Sequence, residues 1–259
     1  MDLGIKGRKA IVCASSKGLG RGCAEALAEA GCDVVLNGRN AEVLEATAAA
    51  IRAATGANVT AVAADVSTAE GQRLLLEACP NPDILVNNNG GPPRKSYQEL
   101  DREAMIDGVV QNMITPIELI QAVIEGMKER EFGRIVNITS LSVKMPIEGL
   151  DLSSGARAGL TGFMAGVCRT FAHHNVTMNN ILPGKMDTDR LRGGITGSAK
   201  AQDIDFETAA QKQRDEIPAK RFGNPEEFGN TCAFLCSQHA GYITGQNILL
   251  DGGLFNGAV

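Results

Sequence analysis

Short apolar runs alternate with longer amphipathic stretches along most of this chain. Several runs are almost continuously apolar, which is typical of parallel strands covered on both faces. The pattern predicts seven strands, at Lys9–Cys13, Asp33–Leu36, Val59–Ala63, Ile84–Asn87, Arg134–Ile138, Thr177–Ile181 and Asn247–Leu250. It predicts helices at Gly20–Ala30, Ala41–Ala54, Thr68–Ala78, Arg102–Arg130, Ser153–His173 and Pro225–Ser237. Strict alternation of strands and helices implies βαβ crossovers. We therefore expect a single-domain α/β fold over residues 1–259. The expected architecture is a Rossmann-type doubly wound sheet of seven mostly parallel strands with helices on both faces.

One segment, at about residues 187–218, interrupts this alternation. It is polar, contains Gly193 and Gly194, and shows only a short helical stretch near Phe206–Glu216. Long insertions after the carboxyl end of a strand often cover a binding site. We therefore expect this segment to form a substrate lid.

Charge and composition exclude several classes of partner. The formal net charge is -5, no basic stripe is present, and two Tyr with no Trp offer little for base stacking, so no nucleic-acid partner is expected. No apolar run reaches the roughly 18 residues of a membrane span, and no signal peptide precedes the first strand. We expect a cytoplasmic protein with no membrane partner.

The cysteines do not form a recognisable pattern. There are seven, an odd number, and no pair has the spacing of a redox or zinc motif. We expect packing residues, and we expect no metal site.

A glycine-containing turn follows the first predicted strand and leads directly into a helix. Glycine permits close approach of the backbone to a pyrophosphate, and the helix start offers free N–H groups. On its own such a turn is also compatible with a simple tight bend. The candidate cofactor-binding residues here are Ser15, Ser16, Lys17, Gly18, Leu19 and Gly20.

This turn is the first of seven motifs that together resemble the short-chain dehydrogenase/reductase family over nearly the whole chain. Ala14 replaces the first glycine of the family's glycine motif. Asp65-Val66 resembles the adenine-binding aspartate and its neighbour, and Asn87-Asn88-Asn89-Gly90 resembles the family's NNAG. The other matches are Asn112, the strand Arg134–Ser140, the nicotinamide-binding Pro183-Gly184-Lys185-Met186-Asp187-Thr188, and Gly245 through Gly253.

Within that family the chain most resembles the 3-oxoacyl-[acyl-carrier-protein] reductase-like branch. Two stretches carry this likeness, Gly90-Gly91-Pro92-Pro93 and Asn180-Ile181-Leu182-Pro183-Gly184. The resemblance implies a small-molecule substrate without identifying it.

The end of the second strand bears on the choice of nucleotide. An acidic residue there would bind the ribose hydroxyls and repel a 2′-phosphate, but this chain has Arg39 and no carboxylate. Arg39 can bind a phosphate and stack on adenine, and Lys17 adds a second positive charge. We therefore expect NADP(H), with NAD(H) the less favoured alternative; an Arg39 that merely solvates a turn is the competing interpretation.

The catalytic pattern of the family is incomplete. The family uses a Ser and a Tyr at the substrate oxygen, and a Lys four residues after the Tyr. Ser140 matches the serine. The segment Arg157–Phe163 aligns with the family's helix segment that begins at the Lys. This alignment places Arg157 at the Lys position and Ser153 at the Tyr position. The only tyrosines, Tyr97 and Tyr242, are distant in sequence.

This replacement changes the available acid–base chemistry. A phenol has a pKa near 10, whereas a serine hydroxyl is a far weaker acid. Arg157 can still bind ribose hydroxyls, but a guanidinium is a poor proton shuttle. Losing a proton donor typically costs about 10²–10⁴ in rate.

Three functions remain open from the sequence. The first is an NADP(H)-dependent oxidoreductase acting on a carbonyl or alcohol, with a substitute proton donor: Lys144, Lys185, or water held by Ser140, Ser153 and Asn112. The second is a non-redox enzyme acting on a keto or hydroxy acid, and the third is an inactive nucleotide-binding sensor or partner subunit. Ser140, Asn112 and Thr188 are all present, so we favour the first.

The resemblance also implies an assembly. The family pairs the two long helices, here Arg102–Arg130 and Ser153–His173, and uses the last strand for a second interface. We expect a homotetramer, with a dimer as the alternative.

Overall fold

The sheet has the expected architecture. The computed structural model describes residues 1–92 and 94–257, so Pro93 of the Gly-Gly-Pro-Pro stretch lies outside the described residues. The strands are β1 (Lys9–Val12), β2 (Asp33–Gly38), β3 (Val59–Ala63), β4 (Ile84–Asn87), β5 (Gly133–Ile138), β6 (Val176–Pro183) and β7 (Asn247–Leu250). They pair in the order β3-β2-β1-β4-β5-β6-β7, and every pairing is parallel. The predicted fold class is confirmed.

Helices cover both faces of this sheet. They are α1 (Gly18–Glu29), α2 (Ala41–Thr55), α3 (Ala69–Ala78), α4 (Arg102–Val109), α5 (Thr115–Glu129), α6 (Asp151–Phe171), α7 (Asp189–Gln202), α8 (Phe206–Asp215) and α9 (Pro225–Cys236). Apolar residues of α1, α2 and α9 fill one face of the sheet, and those of α3, α5 and α6 fill the other. Each face therefore has its own core.

The predicted long helix Arg102–Arg130 is wrong as a single α-helix. A π-helical turn, Val110–Ile114, separates α4 from α5. Pro116, in the first turn of α5, has no N–H to return to the carbonyl of Asn112, which interrupts the regular ladder there. The interruption falls at a residue of the candidate site.

The segment at about 187–218 is more helical than the sequence predicts, because α7 precedes the predicted helical stretch and runs through Gly193 and Gly194. Two helical glycines cost roughly 2 kcal/mol of helix propensity. Packing against α8 offsets this, since Ile195 and Ala199 of α7 form a small buried cluster with Ala209 and Ala210 of α8. Tertiary contact overrides local propensity in this segment.

The cysteines are packing residues, as expected. All seven are buried and unpaired in disulfides. Burial raises the pKa of the Cys13 thiol and of the Cys32 thiol to about 12, so neither forms a thiolate near neutral pH. Among residues 1–92 and 94–257, no group of His, Cys, Asp or Glu gathers in a metal-binding arrangement.

Within the same described ranges, no helix combines the length and apolarity needed to cross a bilayer.

The contact between α1 and α9 depends on two glycines. A Cβ added at Gly229 would lie 2.1 Å from the carbonyl oxygen of Gly22, and one added at Gly22 would lie 2.2 Å from that of Pro225. The backbones of α1 and α9 are therefore in direct contact, and this contact fixes the position of α1 and of the loop before it.

We predict that Gly229→Ala lowers the free energy of unfolding by about 1–3 kcal/mol, because the methyl group must separate two backbones. Gly197→Ala is the matched control, since nothing lies within 4 Å of a Cβ there. It should be neutral or stabilising by up to about 1 kcal/mol. Urea unfolding at one protein concentration measures both, and equal effects of the two changes would contradict this packing account.

Candidate active site

Loops after β1, β4 and β6 converge at the carboxyl edge of the sheet. The Asn88 side-chain amide donates to the carbonyl of Ala14 at 3.0 Å and joins the β4 loop to the β1 loop. Lys17 Nζ lies 3.7 Å from Asp189 Oδ2, and this ion pair joins the β1 loop to the start of α7. In open α/β sheets this edge is where ligands bind.

The β1 loop has the features of a pyrophosphate cradle. Helix α1 begins at Gly18, its N-cap Lys17 makes no side-chain capping bond, and its first turn has no acidic residue. The helix start is therefore open to an anion. Gly18 has a φ of +57°, and Gly20 leaves no room for a Cβ, which would lie 2.5 Å from the Ala14 carbonyl oxygen. The residues present fit a dinucleotide.

Ala14, which replaces a family glycine, keeps the glycine conformation. Its φ is +44°, in the left-handed region that costs a residue with a Cβ roughly 1 kcal/mol. The turn geometry is thus retained against a local penalty.

Not every residue named for this cradle presents its side chain to it. Ser15 is fully buried, its hydroxyl donates to the Val12 carbonyl at 2.7 Å, and its N–H donates to the Asn37 carbonyl. Ser15 therefore holds β1 to β2. Ser16 accepts a bond from Thr47 through its carbonyl, and Leu19 packs partly buried against the core beneath α1. Their backbone, rather than their side chains, forms the loop.

The adenosine end of the predicted site lies at the tips of β2 and β3. Arg39 is exposed at the end of β2, and Asp65 accepts hydrogen bonds from the Ser67 hydroxyl at 2.6 Å and N–H at 3.0 Å. These bonds, and to a lesser degree the charge of Arg39, lower the pKa of Asp65. Val66 is buried in the core below. A guanidinium and an ionised carboxylate therefore lie close together on the surface.

The β4 loop is tied to the π-helical turn. Asn89, where the family has Ala, donates to the Gln111 carbonyl at 3.2 Å and accepts from the Gly90 N–H at 2.8 Å. A Cβ added at Gly90 would meet nothing within 4 Å, so this position is open to the cleft. Asn89, which departs from the family's Ala, therefore holds the β4 loop against the π-helical turn.

The β6 loop leads from Pro183, the last residue of β6, to the N-cap of α7. Gly184 lies against Asp251, where a Cβ would be 2.7 Å from the Asp251 Cα. Met186 is buried, and Thr188 caps α7 by accepting from the Leu191 N–H at 3.4 Å. Thr188 also faces Gly18, with 3.5 Å between its Cγ2 and an ideal Cβ at that glycine. The predicted nicotinamide loop therefore closes over the glycine loop.

Ser140 lies just beyond the end of β5. Its hydroxyl oxygen accepts from the Ser142 N–H at 3.1 Å and from the Ser142 hydroxyl at 2.9 Å. Because those bonds occupy its acceptor sites, its own proton is free to be donated. Ser142, which sequence reasoning did not single out, thus orients Ser140 as a donor.

Ser153 and Arg157 are brought together one turn apart on α6. Both are buried, and Arg157 Nε donates to Ser153 Oγ at 3.2 Å. Arg157 Nη1 donates to the carbonyl of Ile138, at the end of β5, at 2.5 Å. Burial, and then the charge of Arg190, lowers the pKa of Arg157 to about 10. A desolvated guanidinium therefore lies beside the exit of β5.

Known proteins match this chain along its length. A family model described as enoyl-(acyl carrier protein) reductase matches residues 13–255. The chain is 32% identical over 259 residues to the 3-oxoacyl-[acyl-carrier-protein] reductase FabG of Aquifex aeolicus strain VF5, covering 98% of this chain and 100% of that protein. This chain belongs to the short-chain dehydrogenase/reductase family. The resemblance inferred from the sequence motifs is confirmed.

Two further relatives extend this match. The NADPH-dependent reductase BacG of Bacillus subtilis strain 168 is 33% identical over 251 residues, covering 95% of this chain and 97% of that protein. The L-sorbose reductase from Gluconobacter frateurii, solved with NADPH and L-sorbose, superimposes with a TM-score of 0.95 at 30% identity, covering 100% of both chains. The whole chain therefore has the family's architecture.

A small cavity extends behind the site of this family member. Asn112 and Arg157 both line it, and it has room for about one water molecule. Three buried oxygens at its wall make no hydrogen bond to the described residues, namely Asn87 Oδ1, Asn112 Oδ1 and Thr115 Oγ1. Orphaned buried oxygens are costly, so this cavity suits an ordered water.

A row of asparagine side chains leads from this cavity across the sheet. Asn87 donates to Asn137 at 2.9 Å, Asn137 to Asn180 at 2.9 Å, and Asn180 to Asn247 at 2.8 Å. Their positions are in register on β4, β5, β6 and β7. Sequence reasoning missed this ladder, although Asn recurring near the ends of successive strands was its signal.

The two lysines considered as proton donors have different surroundings. Lys185 pairs with Glu216, with 2.5 Å between Nζ and Oε2. Lys144 is exposed, with its Nζ 6.0 Å from the centre of the Phe255 ring. Neither is hydrogen-bonded to Ser140, Ser153 or Asn112 in the described part of the chain.

Proposed function

We propose that this protein is an NADP(H)-dependent carbonyl reductase, acting on a 3-oxoacyl-like compound or small ketone, or on the corresponding alcohol in reverse. The observation that carries this is the placement of an oriented Ser140 and a desolvated Arg157 at the end of β5, beside a glycine loop suited to a dinucleotide. Both groups can donate hydrogen bonds, and in the proposed reaction both would stabilise the carbonyl oxygen as it gains negative charge.

The proposed cofactor site extends from the glycine loop to the β6 loop. NADPH supplies the hydride when bound. The open start of α1 would receive the pyrophosphate, and Lys17 and Arg39 would neutralise phosphate charge. Thr188 and Gly90 would border the nicotinamide, with Arg157 near its ribose. The relatives named for NADPH or solved with it support this choice over NAD(H).

We predict that Arg39→Ala weakens NADPH binding about 10- to 100-fold, because charge-assisted bonds to the 2′-phosphate are lost. NADH, which lacks that phosphate, should lose less than about threefold. Calorimetric titration of each nucleotide measures the dissociation constants. Arg73→Ala is the matched control, since Arg73 is exposed on α3 and is paired with Glu70 and Glu77. Equal losses for NADPH and NADH would contradict the assignment.

The proton is proposed to come from water rather than from a side chain. Ser140 donates to the substrate oxygen, and Arg157 stabilises the oxyanion as hydride arrives. Asn112 borders the cavity suited to a water molecule, from which the proton is replaced. Lys185 is paired with Glu216, and Lys144 is exposed and makes no hydrogen bond to Ser140 in the described part of the chain, so neither is favoured as the acid.

We predict that Ser140→Ala lowers kcat about 100-fold, whereas Lys144→Gln and Lys185→Gln stay within about threefold of the parent. With no phenol or lysine titrating, kcat/KM for reduction should be flat from about pH 6 to 9. A break at a single pKa within that range would instead report a side chain that titrates as the proton donor. A 100-fold loss in either lysine variant would instead identify that lysine as the donor.

The reductase assignment is separated from its alternatives by absorbance. A reductase consumes NADPH, and absorbance at 340 nm falls when a suitable carbonyl is added. A non-redox enzyme would form product without that change, and a sensor would bind nucleotide without forming product.

The segment at 187–218 is proposed to act as the substrate lid. Helices α7 and α8 share a buried cluster separate from the two cores of the sheet, so they can shift as one unit. This unit starts at Thr188, directly after the proposed nicotinamide loop.

The assembly is proposed to be a homotetramer with two kinds of interface. Ile106 on α4 and Phe163 on α6 are 50% and 39% exposed, and Gly162 and Gly166 face open space. On the other side, β7 is an edge strand whose apolar residues are only half-buried. Phe234 on α9 is also 38% exposed. Both patches suit burial between subunits.

We predict that Phe163→Glu converts the tetramer to a dimer by placing a charge in the first interface, with the molar mass read from light scattering. Phe234→Glu should do the same at the second interface, and the double variant should be monomeric. Phe206→Glu is the control, because Phe206 is equally exposed, at 42%, but lies on α8 of the lid. A monomeric parent protein would refute the tetramer.

A further inference from the structure

Three arginines gather at the mouth of the proposed active site. Arg157 is buried at its base, Arg190 is at the rim on α7, and Arg94 is exposed in the loop after β4. The charge of Arg190 lowers the pKa of Arg157, and the charge of Arg94 lowers that of Arg190, after desolvation in each case. The three guanidinium groups are therefore close enough to repel one another.

None of these three makes an ion pair with a residue in the ranges 1–92 and 94–257. Their cationic neighbours do: Lys185 pairs with Glu216, and Arg192 pairs with Asp187 at 2.7 Å. Because Lys185 and Arg192 are already paired with acids, we do not consider them as anion-binding residues. The charges of Arg157 and Arg190 have no acidic partner among the described residues. Like charges held together without acids favour an anion from outside the chain.

The buried Arg134 shows how this chain satisfies an arginine that has only a structural role. Arg134 donates four hydrogen bonds, to the carbonyls of Ser237, Gly133 and Asn175 and to the Asn175 side chain. Arg157 is also buried but donates only two to the described residues. A guanidinium has five N–H groups, so Arg157 retains donors for a ligand.

Arg190 is held across the exit of β5. It starts from the β6 side, in the first turn of α7, and donates to the Gly91 and Pro92 carbonyls of the β4 loop at 3.2 and 3.1 Å. Strand β5 lies between β4 and β6, and Ser140 follows it. The guanidinium therefore spans the cleft above Ser140. Gly91 makes room for it, since a Cβ there would lie 2.6 Å from Arg190 Nη1.

We propose that the substrate is an oxo acid with a free carboxylate, which Arg190 binds at the rim while its carbonyl oxygen lies between Ser140 and Arg157. This inference rests on the proposed reductase function and specifies its substrate. The hydride of NADPH adds to the carbonyl carbon, and a proton from water adds to its oxygen. The products are a hydroxy acid, NADP⁺ and hydroxide, which solvent neutralises. The carboxylate is unchanged and serves for binding.

The first test compares substrates that differ only in charge. Acetoacetate is paired with methyl acetoacetate, and 2-oxobutanoate with its methyl ester, with NADPH oxidation followed at 340 nm. The acid of at least one pair should have a kcat/KM at least about tenfold above that of its ester. Equal or better turnover of both esters would overturn the proposal. Higher kcat/KM for dihydroxyacetone phosphate than for either acid would overturn the choice of carboxylate over phosphate.

The second test uses variants of one helix. Arg190→Gln should lower kcat/KM for the preferred acid about 10- to 100-fold, mainly through KM, and leave the ester within about threefold. Arg190→Lys should restore part of the loss. Arg192→Gln is the matched control, because Arg192 lies two residues away on α7 and is paired with Asp187. The affinity for NADPH, measured by calorimetry, should not change in Arg190→Gln. If NADPH affinity fell by the same factor by which KM rises, Arg190 would be assigned to the cofactor.

A binding measurement keeps this inference separate from the proposed function. Malonate and oxamate, which are not reduced, are titrated into the protein saturated with NADP⁺. Binding that disappears in Arg190→Gln supports the carboxylate site even if no carbonyl compound is turned over, in which case only the reductase proposal fails. Turnover of neutral ketones without carboxylate binding overturns the inference and leaves the reductase proposal standing.

Discussion

The buried guanidinium of Arg157 is the interaction on which the candidate site depends. It joins α6 to the end of β5 through the Ile138 carbonyl and orients Ser153 one helical turn away. A buried cation without a carboxylate partner is costly in free energy. In the proposed reaction this guanidinium would lie near the carbonyl oxygen that gains negative charge, where a desolvated donor is most effective.

This arrangement changes how the family's chemistry would work in this chain. In place of a phenol that both binds and protonates the substrate oxygen, the proposed site would use Ser140 and Arg157 to bind the oxyanion. A polar cavity beside Asn112 would supply the proton through water. Binding and proton supply are then separate tasks. The asparagine ladder supports this division, because it holds the cavity wall in register with three neighbouring strands.

The rim of the cleft also carries a positive charge. Arg190 adds a second uncompensated charge above Ser140, fixed by two carbonyls of the β4 loop. Lys185 and Arg192, the other cations of this segment, are paired with Glu216 and Asp187, so Arg190 is the one of the three without an acidic partner among the described residues. A neutral ketone would not use this charge, whereas an oxo acid would.

Local patterns were enough to predict the parallel sheet and most of its helices, because apolar periodicity can be read along the chain without knowledge of long-range contacts. The sequence also showed that no tyrosine lies near Ser140 along the chain, since the chain's two tyrosines are Tyr97 and Tyr242. The tertiary structure decided the rest. It broke the helix at Val110–Ile114, kept α7 helical through two glycines, and separated Arg157 and Arg190 from the paired cations. Charge pairing depends on distances between residues far apart in sequence, which periodicity cannot supply.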